Sequence, residues 1–289
     1  MEGILINGVA PLDDLPSLSD RGLRELAGLV RAYSGITVGP DKHQLVANRL
    51  RRRVRELKLE SFERYGEYVR ADGSGSELET LVDLMSTNHT AFFRESLHFA
   101  ALVSEVLPRL RAARGMNRDP LRVWSAACAT GEEAYTLAML LAEDSAAEPG
   151  RVFELLGSDI SRRALALAER GVYPMERAGV VPEDLLKRYF ERGVGAQAGR
   201  CRVKRILRDA VRFQRINLLD DSYPLSRPQD VIFCRNVLIY FDVETRRRVL
   251  ARLAASLTPE GVLVVGVSES VGGLLPELVR FSHGVYARP

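Results

Sequence analysis

The sequence predicts a chain of two parts: an all-α N-terminal domain over residues 1–85, then a doubly wound α/β domain over 86–289 with a small antiparallel β subdomain at about 190–216. Three observations predict it. Up to about residue 86, apolar residues recur at helical spacing and no strand candidate occurs. Beyond residue 120, short runs apolar on both faces alternate with amphipathic stretches, the pattern of a mostly parallel sheet covered on both sides. The chain has 289 residues, 46% of them apolar, enough for two domains that each bury a core and far too apolar for a disordered chain.

The first helix opens at Ser19 or Asp20, puts Leu23, Leu26, Leu29 and Val30 on one face and stops at Gly35. A second covers roughly 41–58, with Val46, Leu50, Val54 and Leu57 as its buried stripe. A third fits 61–71 and a fourth 76–86, with ADGSGSE as the loop between them. In the second part, the strand candidate LRVWSAAC leads into the helix GEEAYTLAMLLAED, and VFELLGSD leads into SRRALALAERG. GVGAQAGRCRVKRILRDAVRFQRINLL, Gly-rich and then alternating, reads as the antiparallel excursion. PQDVIFCRNVLIYF holds a third strand before the helix DVETRRRVLARLAASL, and GVLVVGV and HGVYARP complete the pattern.

Composition excludes several classes. A net charge of +3 does not by itself imply nucleic-acid or membrane binding. MEGILINGVAPLDDLP has no basic start and no long apolar stretch, so no secretory leader is expected. No segment approaches the roughly 20 apolar residues that span a bilayer. Cys128, Cys201 and Cys234 are widely separated, and His43, His89, His98 and His283 show no ligand spacing. A soluble protein of a reducing compartment without a metal site is therefore expected.

Ligands of open α/β sheets bind beyond the carboxyl ends of the strands. The first such loop, Ser125 to Glu133, is built almost wholly from small residues, which let a ligand approach the backbone closely. It is neither GxGxxG nor a P-loop, and its two glutamates would repel a pyrophosphate. They would suit a cationic or hydroxyl-rich ligand. Thr130 and Glu133 also have capping-box spacing, so a helix-starting role accounts for them equally. Asp159 ends the second strand, where a carboxylate can hold a ribose diol or cap the next helix.

Asn88-His89-Thr90-Ala91-Phe92-Phe93-Arg94, WSAACATGEEAYTLAMLL, GSDIS, INLL and CRNVLIYFD, in that order, resemble the chemotaxis receptor methyltransferases, the CheR family. The resemblance runs from about residue 20 to the C-terminus. It implies a cytoplasmic, Rossmann-like S-adenosylmethionine-dependent O-methyltransferase that esterifies glutamate side chains on the cytoplasmic helices of chemoreceptors, leaving S-adenosylhomocysteine. It further implies that Asn88, Thr90 and Arg94 contact the cofactor, with Arg94 taking its carboxylate. Glu133, rather than Glu132, would lie by its amino-acid part, Asp159 would hold the ribose, and Asn217 and Leu218 would bracket the adenine. Arg235, Asn236 and Tyr240 would lie nearest the sulfonium and the incoming glutamate, with Arg235 and Tyr240 as catalytic residues.

The ligand's chemistry agrees. Arg pairs bidentately with a carboxylate, Glu suits an ammonium, and Asp suits a diol. An acceptor glutamate, with a reference pKa of about 4.3, is ionised at neutral pH and needs no general base. Without the resemblance, Tyr240 reads as a strand-end aromatic and Arg235 as a partner of Asp242 or Glu244.

On the second helix Arg51, Arg52 and Arg55 fall away from the apolar stripe, while Arg49 and Arg53 flank it. Residues 1–85 hold 12 Lys+Arg against 14 Asp+Glu, so the cationic face is local. It reads as a solvated face or, from the resemblance, as the docking surface for acidic receptor helices. No aromatic residues interleave with these arginines, which disfavours RNA. The β subdomain could take a receptor's C-terminal tail by strand addition, a mode known in this family. The alternatives are a noncatalytic signalling module that binds the same cofactor, and a methyltransferase for another protein carboxylate.

Overall fold

The computed structural model describes residues 16–115, 119–148 and 150–289. They form two compact units, one ending at Ser86 and the other starting at Thr87.

The first unit contains α1 (Asp20–Ser34), α2 (His43–Glu56), α3 (Phe62–Ala71) and α4 (Ser76–Met85). The Ser19 hydroxyl accepts the Gly22 N–H at 3.0 Å to start α1, and the Ser61 hydroxyl accepts the Arg64 N–H at 3.2 Å to start α3. No side chain caps α2. Its placement comes from Val46, Leu50 and Val54, which are buried with Leu23, Leu26, Val30, Phe62, Tyr65 and Leu81. Each large apolar side chain buried in this way contributes about 1.5–3 kcal/mol relative to exposure.

One buried carboxylate shapes this core. Glu77 accepts the Tyr65 hydroxyl at 2.8 Å and Arg53 Nε at 2.8 Å, and Arg53 Nη2 pairs with its second oxygen. Arg49 donates to the carbonyls of Met85 and Ser86 at the end of α4. These two arginines, expected on a docking face, are thus structural. They lie one step off the 46/50/54 stripe, so their stems follow the apolar surface inward. The desolvated Glu77 requires a counter-ion there. Arg52 is exposed and pairs with Glu56 at 2.8 Å, while Arg51 and Arg55 are half-buried.

In the second unit, α5 (Ser96–Ala101), a π turn (Leu102–Val106) and α6 (Leu107–Arg114) run on as one helical stretch. Then follow β1 (Leu121–Ala126), α7 (Glu132–Ala147), β2 (Phe153–Asp159), α8 (Arg162–Arg170), β3 (Val172–Pro174), α9 (Met175–Ala178), α10 (Glu183–Tyr189), β4 (Phe190–Arg192), β5 (Arg200–Val203), α11 (Arg205–Arg208), β6 (Val211–Arg215), β7 (Gln229–Cys234), α12 (Val243–Ala255), β8 (Leu257–Val265), β9 (Val279–Ser282) and β10 (Val285–Ala287). The main sheet has the order β6-β2-β1-β7-β8-β10-β9. Its first five strands pair in parallel, and β10 and β9 close it in antiparallel fashion. All six residues of β7 are buried, as a strand covered on both faces requires.

The antiparallel excursion differs from the expected 190–216. The small sheet is β3-β5-β4, so it begins at Val172 and ends at Val203. Val211–Arg215 instead joins the main sheet, parallel to β2 from Leu155↔Val211 to Asp159↔Arg215. Alternation in VRFQR marks a half-buried strand but carries no information about its partner. No helix among the described residues is long and apolar enough to cross a membrane.

Candidate functional site

β1 lies between β2 on one side and β7 on the other, and the chain order reverses there. This is the switch point at which an open α/β sheet leaves a crevice beyond its strand ends. Beyond the carboxyl ends of β1, β2, β6 and β7 lie the segments that carry Glu133, Ser161, Asn217 and Arg235.

The β1 loop is unusually bent. Ala127 has φ 65°, Ala129 φ 49° and Gly131 φ 94°. Left-handed backbone at two alanines costs about 1–2 kcal/mol each and persists only where neighbours enforce it. The enforcing groups are present: Cys128 N–H bonds to the Ser158 carbonyl at 2.8 Å, and Ala129 N–H to Asp159 Oδ2 at 2.9 Å. The capping-box reading of Thr130 and Glu133 does not hold. Gly131 is the N-cap, without a side-chain bond, and the Thr130 hydroxyl turns to Glu132 at 2.6 Å.

The two glutamates diverge. Glu132 is buried and bonded to Thr130 and to the exposed Arg177, the latter at 3.0 Å. Glu133 accepts the Ser125 hydroxyl at 2.7 Å and lies 3.6 Å from Arg235 Nε. Burial raises its carboxyl pKa, against the pull of Arg235 and the Ser125 bond. Asp159 Oδ1 accepts the Ser161 N–H at 2.9 Å, while Ser161 itself caps α8. With Ala129 N–H on the other oxygen, Asp159 ties the β1 loop to the start of α8.

Arg235, on the loop after β7, is 4% exposed. Its guanidinium carbon lies 5.1 Å from the Phe99 ring centroid and 5.9 Å from that of Phe233. Nη2 donates to the Arg94 carbonyl at 2.5 Å and approaches Glu95 at 3.5 Å. Nε and Nη1 are buried with no hydrogen-bond partner among the described residues. The structure does not pair Arg235 with Asp242 or Glu244: Asp242 caps α12 through Thr245 N–H at 2.8 Å, and Glu244 pairs with Arg247.

The other expected residues fall as follows. Asn88 Nδ2 bonds to the Ser161 hydroxyl at 3.3 Å, beside Asp159. Arg94 Nη1 donates to the His89 carbonyl at 2.9 Å, and Thr90 is half-buried. Leu218 is buried and its carbonyl accepts the Tyr223 hydroxyl at 3.0 Å, while Asn217 Oδ1 accepts Leu219 N–H at 3.0 Å. Tyr240 is half-buried at the end of the 3-10 turn Leu238–Tyr240.

Two site carboxylates escaped the sequence reading. Glu95, with φ 57°, accepts Asn236 Nδ2 at 2.9 Å and Val267 N–H at 3.1 Å. Burial alone would raise its pKa, yet these bonds and the Arg235 charge hold it lowered. Glu269 accepts the N–H groups of Asn236, Leu238, Ile239 and Gly266. Glu95 stands just after Arg94, at the start of α5, outside the Asn88–Arg94 motif, and Glu269 lies beyond β8, where a lone Glu looks like any surface charge. His98, fully buried beside Glu95, has its pKa pushed down to about 4 by burial and by Arg235, so it is neutral at pH 7. Burial likewise lifts the Cys128 and Cys234 thiols well above ordinary values, which leaves both unreactive.

These groups can hold a small ligand that carries a carboxylate, an ammonium and a diol. No phosphate cradle is present among the described residues, and the acidic rim of Glu95, Glu133 and Asp159 disfavours one. A separate cavity of about 440 Å³ lies where β1 and β2 begin, lined by Arg111, Arg114, Asp144, Arg151, Leu121 and Phe153. It contains none of the expected site residues.

The family model described as CheR methyltransferase, SAM binding domain, matches residues 88–284, and that described as CheR methyltransferase, all-alpha domain, matches 21–86. Chemotaxis protein methyltransferase 2 of Pseudomonas aeruginosa is 43% identical over 237 residues, 82% of each chain. The Chemotaxis protein methyltransferases of Salmonella typhimurium and Escherichia coli are each 38% identical over 271 residues, covering 94% of this chain and 91% and 92% of theirs. Both domains are thus matched in order along nearly the whole described chain, and the protein belongs to the CheR methyltransferase family.

Proposed function

We propose that this protein transfers the methyl group of S-adenosylmethionine to glutamate side chains on the cytoplasmic helices of chemoreceptors, giving γ-carboxyl methyl esters in chemotactic adaptation. The observation that carries the reading is Arg235: a buried guanidinium at the strand ends whose Nε and Nη1 make no hydrogen bond among the described residues, with Nε 3.6 Å from Glu133. Such a group calls for an anion.

The cofactor, when bound, supplies a methyl group activated on a sulfonium. The chain's own residues bind and orient. Asp159 holds the ribose diol, Asn217 and Leu218 frame the adenine, and Asn88, Thr90 and Arg94 close over the amino-acid part. Glu133 faces the ammonium. Arg235 orients one oxygen of the acceptor carboxylate and leaves the other free to attack, and Asn236 lies beside it. Tyr240 hydrogen-bonds near the reacting oxygen. Glu95 and Glu133 temper Arg235, so the acceptor is held without being over-stabilised in its ground state. Because the acceptor is already ionised, positioning and exclusion of water provide the acceleration.

Substrate capture uses the outward arginines Arg51, Arg52 and Arg55 of α2 against acidic receptor helices, with an attraction that salt weakens. A receptor's C-terminal tail adds as a strand to the small sheet, where β3 and β4 each pair on one side only, with β5.

The test is transfer of labelled methyl from S-adenosylmethionine to receptor-containing membranes, followed by base treatment. Base-labile methanol is expected. Cofactor binding without transfer would favour a noncatalytic module, and a base-stable label would exclude a carboxyl ester.

A further inference from the structure

We propose that Glu269 is the positioning residue for methyl transfer: through three backbone N–H bonds its carboxylate holds the loop that presents Arg235, Asn236 and Tyr240, while a fourth, from Gly266, anchors it in its own loop. The inference rests on the functional reading above and extends it to a residue with no direct place in the chemistry.

The geometry is specific. Glu269 Oε2 accepts Asn236 N–H at 2.8 Å and Gly266 N–H at 2.7 Å. Oε1 accepts Leu238 N–H at 2.7 Å and Ile239 N–H at 3.3 Å. One carboxylate, 8% exposed, thus ties the loop after β7 to the loop after β8. Without it, buried amides in a 3-10 turn would lack acceptors, since the turn leaves its first N–H groups unused. Asn236 has φ 57°, a left-handed conformation that asparagine enters more readily than most side-chain residues but still at a cost. Glu269 enforces it from the backbone side, while Glu95 holds the Asn236 side-chain amide at 2.9 Å.

Gly266 makes the approach possible. A Cβ there would lie 2.8 Å from Glu269 Oε2 and 2.9 Å from Asn236 Nδ2. The same amide that binds the carboxylate therefore needs a residue without a side chain. Ser270 and Ser268, on either side of Glu269, have no part in this cluster of bonds. The role is positional, because all four bonds end on backbone.

The experiment compares Glu269→Gln, Glu269→Asp and Gly266→Ala with the wild-type protein, using S-adenosylmethionine and receptor membranes, both saturating. The glutamine keeps one acceptor oxygen and turns an NH2 toward two donors. Its kcat is expected to fall by about tenfold to a hundredfold, the effect of misplacing a reacting group by about an ångström. The denaturation midpoint should fall modestly, because two amides lose their acceptor, and amide exchange should accelerate only over residues 236–239 and 266. Glu269→Asp, which keeps both oxygens, should recover part of the rate. Gly266→Ala, which disturbs the same contact from the other side, should copy the glutamine variant. A kcat within about twofold of wild type in both Glu269→Gln and Gly266→Ala overturns the proposal. If wild-type protein transfers no methyl, the functional reading fails on its own. Exchange then decides the role of Glu269 in holding the loop, and unchanged exchange at 236–239 in Glu269→Gln overturns it.

Discussion

Replacing Gly131 by alanine tests the link between the bent β1 loop and cofactor binding. Gly131 has φ 94°, and an added Cβ would stand 2.7 Å from the Ala168 Cβ, 3.1 Å from its Cα and 3.1 Å from the Tyr173 hydroxyl. The Ala168 atoms belong to α8 and cannot rotate away. The left-handed conformation costs about 1–2 kcal/mol for a residue with a side chain, and the overlap adds about 1–3 kcal/mol, so the variant should lose about 2–5 kcal/mol. Because Ala127 to Gly131 must shift to relieve the clash, affinity for S-adenosylhomocysteine should also fall about tenfold or more, equivalent to ~1.4 kcal/mol. Urea unfolding and titration calorimetry read the two effects separately. Gly28, exposed in α1, is the control, since a Cβ added there would meet nothing within 4 Å. At that position the same change should stabilise by about 0.5–1 kcal/mol, the ordinary helix gain. A Gly131→Ala protein within about 0.5 kcal/mol of wild type, with unaltered affinity, would refute the reasoning.

Arg53→Ala should destabilise the first unit by about 3–5 kcal/mol, because it strands the buried Glu77 carboxylate; thermal or urea unfolding checks it, and a loss below about 1 kcal/mol on that scale contradicts the structural role. Arg51→Glu with Arg52→Glu and Arg55→Glu should leave S-adenosylhomocysteine affinity unchanged and lower receptor methylation, most at low salt; undiminished methylation removes the docking role. Glu133 has a raised pKa in the protein alone, so acidification protonates it sooner than an ordinary glutamate and removes the charge facing the ligand's ammonium. Cofactor affinity should therefore decline as pH drops from neutral, with proton release on binding, and Glu133→Gln should flatten that dependence in calorimetry.

The fold was legible wherever one short segment held its own signal. Val46, Leu50 and Val54 mark α2 by spacing alone, and the continuous apolar run of β7 announces a strand buried on both faces. What escaped depends on partners far along the chain. The pattern of β6 does not reveal that it lies beside β2 rather than in the small sheet. The arginines at 49 and 53 look solvated until Glu77 and the end of α4 come beside them. The same holds at the site. Arg235 and Asp159 end strands, so position alone singles them out. Glu95 and Glu269 act on groups about 140 and 30 residues away in sequence, contacts that leave no local pattern.

The most direct measurement is a crystal structure with S-adenosylhomocysteine bound. The account predicts the ligand across the ends of β1, β2 and β7, with its ribose on Asp159 and its amino-acid part toward Glu133 and Arg94. Density instead in the cavity lined by Arg111, Arg114 and Arg151, at the opposite ends of β1 and β2, would contradict it.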